Sequence, residues 1–159
     1  NSWNGTIDEK MGDAQKAFAC YLFTVPGVPL LYNGQEADLD KRLEFFKRDP
    51  IEWKETELTP FYAKLVHLRT SHPALRHGIE GGSYDVLKTS QKSVVAFKRL
   101  KGENEVLTIL NISGKPVTVA LKDGATAGTY KDLFTDNSVE IAQGSNMQME
   151  PWGYMVLVR

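Results

Sequence analysis

Tyr32-Asn33-Gly34-Gln35-Glu36 is the stretch whose residue types and spacing come nearest to a chemical site. It closes a short apolar run, Val28-Pro29-Leu30-Leu31-Tyr32. In folds built of parallel strands and helices, residues just past the carboxyl end of a strand face the ligand crevice. Gly34 lets the backbone turn sharply there, and Glu36 would stand as a carboxylate at the mouth of a site. The same carboxylate has a structural reading, in which it anchors its own loop through backbone N–H groups or an arginine such as Arg42. The two readings are compatible. Trp3, Trp53 and Trp152 offer flat faces that complement the C–H face of a sugar ring. Trp152 enters the last strand and Trp53 reads as packing. Core packing is the alternative for all three, and Trp3, in the polar segment Asn1 to Thr6, is the one of the three best suited to face a ligand.

Other familiar chemistries are weakly signalled. His67, His72 and His77 are spaced by five, a rotation of about 140° on a helix, so His67 and His72 would not share a face. They read as surface or interhelix side chains. Cys20 lies beside an apolar stripe and reads as a buried, inert thiol. One cysteine excludes an internal disulfide framework and any cysteine cluster for zinc. No Gly-x-Ser-x-Gly elbow, P-loop or dinucleotide fingerprint is present. Nineteen basic and twenty acidic residues give a net charge of -1, so there is no basic excess to bind a phosphate backbone and nucleic acid is not expected as a partner. No apolar run approaches the ~20 residues of a membrane helix, so no membrane partner is expected either. The hydrophobic fraction of 42% and charged fraction of 25% are those of a globular chain. Without an initiator Met or signal peptide at its start, the chain is expected to begin partway through a longer protein.

The elements that would position these residues divide near Arg76. A helix is expected from about Met11 to Phe23, with Ala14, Ala17, Phe18, Tyr21 and Leu22 as its buried stripe, stopped by Pro26 and Gly27. Residues 28–32 do not alternate, which predicts a strand buried on both faces. Asp38 to Lys54 reads as a long ordered loop with one short helical turn. A second helix is signalled by Thr59 as N-cap and Pro60 at the first position. Its stripe is Phe61, Leu65 and Leu68, and it ends before Pro73. After Gly78, about seven or eight short strands separated by turn residues suggest an antiparallel Greek-key sandwich. The best hairpin joins Ser93–Leu100 to Glu105–Ile112.

Taken together, these residues resemble the carboxyl-terminal part of the α-amylase family of glycoside hydrolases. Gly27-Val28-Pro29-Leu30-Leu31-Tyr32-Asn33-Gly34-Gln35-Glu36 is similar to that family's eighth barrel strand. Lys41 to Trp53 looks like the loop after it, Phe61 to Gly78 like the eighth helix and its exit, and Asn1 to Thr6 like the sequence after the family's Asn-His-Asp motif. The fold this implies is the end of a (β/α)8 TIM barrel over residues 1–77, with two helices and one buried strand. An antiparallel Greek-key β-sandwich follows over residues 78–159. The implied chemistry is retaining cleavage of an α-glucosidic bond by a carboxylate nucleophile and a carboxylic acid/base. In the family those groups, and a third carboxylate, lie on earlier strands. No residue here matches them, so the resemblance implies a chain inactive by itself that stabilises the barrel.

What carries over is one wall of the site. The substrate-binding candidates are Trp3, Asn4, Glu36 and Arg42, the last within Lys-Arg-Leu-Glu-Phe-Phe where some subgroups have Arg-x-Pro-Phe-x-Trp. The implied partners are an α-glucan or maltooligosaccharide and the missing barrel portion. No cofactor is expected. Calcium is common in the family, but no ligand cluster is visible in the sequence. Localisation stays open, and association with polysaccharide hydrolysis points to an extracytoplasmic parent. Residues 28–32 would be a liability in isolation, expected to repack, to pair with another copy or to belong to a larger assembly. Two further readings are a noncatalytic carbohydrate-binding module, for which Tyr84, Tyr130 and Tyr154 are platform candidates, and a purely structural domain.

Overall fold

The computed structural model describes residues 4–44, 46–123 and 127–159. Thr6 opens the helical part through a capping box: its hydroxyl accepts from the Glu9 N–H, and the Glu9 carboxylate accepts from the Thr6 N–H. Helix α1 spans Ile7–Met11, a 3-10 turn covers Gly12–Ala14, and α2 spans Gln15–Thr24. The helical region thus starts four residues before the expected Met11, and Gly12, at a φ of +47°, divides it. The buried stripe also differs from the expected one. Ala17, Ala19, Cys20, Phe23 and Thr24 are buried, whereas Phe18, Tyr21 and Leu22 are exposed. Both sets have helical spacing, and packing against the sheet selects the second, smaller set.

Helix α3 spans Leu58–Ser71, two residues earlier than the expected Pro60, and His72 after it is extended ahead of Pro73. Glu57, not Thr59, stands at its N-cap and gives no side-chain cap, while the Thr56 hydroxyl one residue earlier accepts from the Leu58 N–H at 3.2 Å. The Thr59 hydroxyl instead donates to the carbonyl of Glu36 at 2.9 Å. Phe61, Tyr62, Leu65, Leu68 and Arg69 form the buried face.

Eight antiparallel strands follow: β1 Asp85–Thr89, β2 Val94–Lys101, β3 Asn104–Asn111, β4 Val117–Asp123, β5 Gly128–Asp132, β6 Ser138–Ile141, β7 Asn146–Met149 and β8 Tyr154–Val158. Their order is β6-β5-β8-β3-β2-β1-β4-β7. Within it β4-β1-β2-β3 is a Greek key, since β4 returns beside the first strand of the β1-β2-β3 meander. The expected hairpin is the β2–β3 pair, in register from Val94 opposite Asn111 to Lys101 opposite Asn104. Ile141 on β6 and Met149 on β7 lie at opposite ends of the order, yet share one core with Leu107 and Ile109 of β3. The sheet therefore curls so that its ends face each other across an apolar interior. Its other face, through Val106, Leu110 and Val156, packs on Cys20, Phe23, Phe61 and Leu65 of the helices. Phe61 stacks on Phe134 with ring centroids 5.0 Å apart and meets Tyr154 edge-on at 5.7 Å.

The expected buried strand at 28–32 is the main correction. The segment is extended but pairs with no strand among the described residues. Val28 is 79% exposed and Leu30 73%, while Leu31 alone leans on the helical core. An apolar run buried on both faces needs neighbouring strands to cover it, and the described residues supply cover for one face only.

Candidate functional site

The carboxyl end of segment 28–32 leads into a tight turn. Gly34 has a φ of +88°, and a Cβ there would stand 2.8 Å from Leu39 Cδ2. Only glycine meets both demands. A 3-10 turn, Gln35–Ala37, follows, and then an irregular loop to Leu58. That loop has no further helical turn among its described residues, contrary to expectation.

A small pocket of about 40 Å³ opens here, its polar groups supplied by Thr6, Asp8, Asn33, Gln35 and Asp40 and its apolar wall by Ile7, Leu39 and Leu43. The Thr6 hydroxyl donates to Asp40 at 2.5 Å, which joins the chain's first turn to the loop. A second tie lies beside it. The Arg42 guanidinium donates to both Glu9 carboxylate oxygens at 2.8–3.0 Å. The Thr6 N–H, foremost, and the Arg42 guanidinium hold the Glu9 carboxyl below its ordinary range. Farther along, Lys41 and the Glu44 N–H bind Asp49 and hold its carboxyl low in the same way.

Helix α3 fixes the site-bearing segment at both ends. At the top, Gln35 Nε2 donates to the Tyr62 hydroxyl at 2.5 Å, and burial pushes that phenol up to about 12. At the base, the Arg69 guanidinium donates to the carbonyls of Phe23, Val25 and Gly27. Arg99 from β2 donates to the carbonyls of Thr24, Gly82 and Ser83. The bonds to residues 23–27 satisfy carbonyls at and just beyond the end of α2, where the helix dipole favours cations, and those to Gly82 and Ser83 hold the lead into β1. Burial lowers both guanidinium pKa values.

The four expected site residues do not all converge. Trp3 lies outside the described residues. Asn4 is exposed, two residues before the pocket's Thr6. Arg42 stands by the pocket, tied to Glu9. Glu36 does not line the pocket. Its carboxylate is partly buried, and Oε2 has no hydrogen-bond partner among the described residues. Gln35 lay in the stretch singled out from the sequence but was given no role, and Tyr62, Arg69 and Arg99 were not anticipated. A signal for Arg69 did exist: it follows Leu65 by four, on the buried face of a helix.

Among the described residues no group of three or more His, Cys, Asp or Glu is gathered as a metal site. Burial pushes the Cys20 thiol well up, away from nucleophilic chemistry. No helix among the described residues is long and apolar enough to cross a membrane.

This architecture, a helix-backed Greek-key domain following a strand-turn-loop segment, is the class to which known proteins can be matched. Residues 84–156 match the family described as Maltogenic Amylase, C-terminal domain. Alpha-amylase MalA of Haloarcula japonica is 35% identical over 142 residues, covering 84% of this chain and 21% of that protein. Alpha-amylase 2 of Dictyoglomus thermophilum is 30% identical over 130 residues, covering 74% and 21%. Among solved structures, maltogenic alpha-amylase AmyB from Thermotoga neapolitana superposes with a TM-score of 0.77 at 24% identity. That match covers 93% of this chain and 36% of AmyB. The chain belongs to the α-amylase family of glycoside hydrolases and corresponds to the carboxyl-terminal part of its members. It spans about a fifth of the length of the curated relatives named here.

Proposed function

We propose that this chain forms the carboxyl-terminal part of a retaining α-glucan-active hydrolase, with residues 1–77 as the end of its (β/α)8 barrel and 78–159 as its terminal β domain. The observation that carries this is the state of residues 28–32. They form an extended, helix-backed segment whose outer side chains lie bare and whose carboxyl end turns into a small pocket with polar groups at its mouth. That is the form of one barrel strand with its ligand end intact. In this reading the β domain buttresses the barrel through the Phe61, Phe134 and Tyr154 cluster and the Arg99 clamp. Trp3, Asn4, Glu36 and Arg42 form part of the wall around a bound α-glucan. The partnerless Oε2 of Glu36 is an acceptor for a hydroxyl or N–H from outside these residues. The name of one structural neighbour, AmyP in complex with maltose, suits such a ligand.

The module reading has no comparable support. Tyr130 is buried in the sandwich core, Tyr154 packs in the helix–sheet cluster, and Tyr84 leans on Phe97 at 5.2 Å. These three rings do not share one exposed face. The proposal is tested on soluble starch and a chromogenic α-glucoside. The pure 159-residue chain is expected to give no turnover, and a chimera joining it to the amino-terminal part of a relative is expected to hydrolyse both. Turnover by the pure chain would contradict the assignment.

A further inference from the structure

Between segment 28–31 and α3 runs an open groove of about 470 Å³. Leu31, Val66 and Leu75 supply apolar wall, and Arg69, Arg76 and His77 supply basic groups. Among the described residues no carboxylate lines it. Arg69 is committed to the carbonyls of Phe23, Val25 and Gly27. Arg76 is exposed at the groove wall and has no ion pair among the described residues. A second observation runs along the same groove. Among the described residues, the backbone N–H groups of Val28, Leu30 and Leu31 and the carbonyls of residues 28–31 have no hydrogen-bond partner. An extended backbone with unused donors and acceptors is a template for an added strand, and pockets beside it choose the side chains.

We propose that this groove docks an extended strand bearing apolar residues and one carboxylate, the apolar residues against Leu31 and Val66 and the carboxylate opposite Arg76 and His77. The strand comes from the part of the parent enzyme that this chain does not contain. This rests on the reading of residues 1–77 as the end of a barrel, and adds the charge that the neighbouring strand must carry. Main-chain bonds to residues 28–31 supply the generic affinity. Arg76 supplies discrimination, because a neutral or basic residue leaves the guanidinium unmatched.

The test titrates the isotope-labelled 159-residue chain with three blocked peptides, acetyl-Val-Ile-Val-Glu-Val-amide and its Gln and Lys counterparts, at low salt. The amides of Val28, Leu30 and Leu31 are expected to shift saturably. The Glu peptide should bind about fivefold tighter than the Gln peptide, the scale of one partly exposed ion pair. Arg76→Gln should remove that preference and Arg76→Glu should reverse it toward the Lys peptide. Arg76 is exposed, so both variants retain the fold. Equal affinity for all three peptides would overturn the proposal, as would shifts confined to other residues. A dimer by sedimentation that excludes the peptides would overturn it in favour of a second copy as occupant. A starch-active chimera without peptide discrimination would remove the groove's charge preference and leave the parent assignment standing.

Discussion

Strand β3 and segment 28–32 are both apolar, and they end in opposite states. Along β3, both backbone edges are paired, with β2 on one side and β8 on the other, and Val106, Leu107 and Ile109 are fully buried. Along 28–31 neither edge is paired among the described residues, and Val28 and Leu30 face out. The strands that complete β3 lie nearby in the same sequence. The cover for 28–32 does not lie within the described residues. Apolar sequence specifies a buried strand only together with the neighbours that bury it.

The largest expected effect breaks the completed side of this contrast. Leu107→Ala should destabilise the chain by about 2–5 kcal/mol in urea unfolding, because it opens a cavity in a core that is closed all round. Leu30→Ala should change stability by less than about 0.5 kcal/mol, since its side chain already faces solvent. Equal losses at the two positions would erase the distinction.

Next in size is the joint between the regions. Arg99→Met should cost about 2–3 kcal/mol, because carbonyls at Thr24, Gly82 and Ser83 lose a charged donor. Arg69→Lys should cost about 1 kcal/mol, as one ammonium replaces a planar fork that spans three carbonyls. Hydrogen exchange should place the Arg69→Lys effect in residues 23–32 and leave β3 protected. An effect spread evenly over the sheet would contradict its local role.

The smallest effect sharpens the comparison by pH. Glu9 and Asp49 are held below their ordinary range by hydrogen bonds and by Arg42 and Lys41. Lowered carboxyl values stabilise the folded loop above their unfolded values. That contribution is lost as pH falls through the folded ones. Acidification below the usual carboxylate range should therefore lower the protection of the Thr6 and Glu44 amides, measured against their intrinsic exchange rates at each pH, since their acceptors are these two groups. Amides of β2 and β3 should be unaffected in the same window.

Much of this was legible in the sequence because the relevant partners are local. The β2–β3 hairpin was foreseen to within one residue at each end, since alternation and turn residues report on hairpins a few residues long. The capping box at Thr6 and Glu9, which marks the true start of the helical region, was missed by the reading that began the helix at Met11. The stripe of α2 was not readable: Phe18 and Cys20 both fit a helical period, and only packing against the sheet decides between them. At the site, the Gly34 turn followed from the sequence. Arg42's tie to Glu9 and Arg99's reach to Thr24 depend on contacts 33 and 75 residues apart, which no local pattern encodes.

The central claim is that residues 28–32 are a strand held extended for a partner from outside. Hydrogen exchange on the 159-residue chain tests it most directly, by comparing Val28, Leu30 and Leu31 with Val106, Leu107 and Ile109. The account predicts nearly unprotected amides at the first three positions and strong protection at the second three. Comparable protection in both sets would show that segment 28–32 is already paired, and would contradict it.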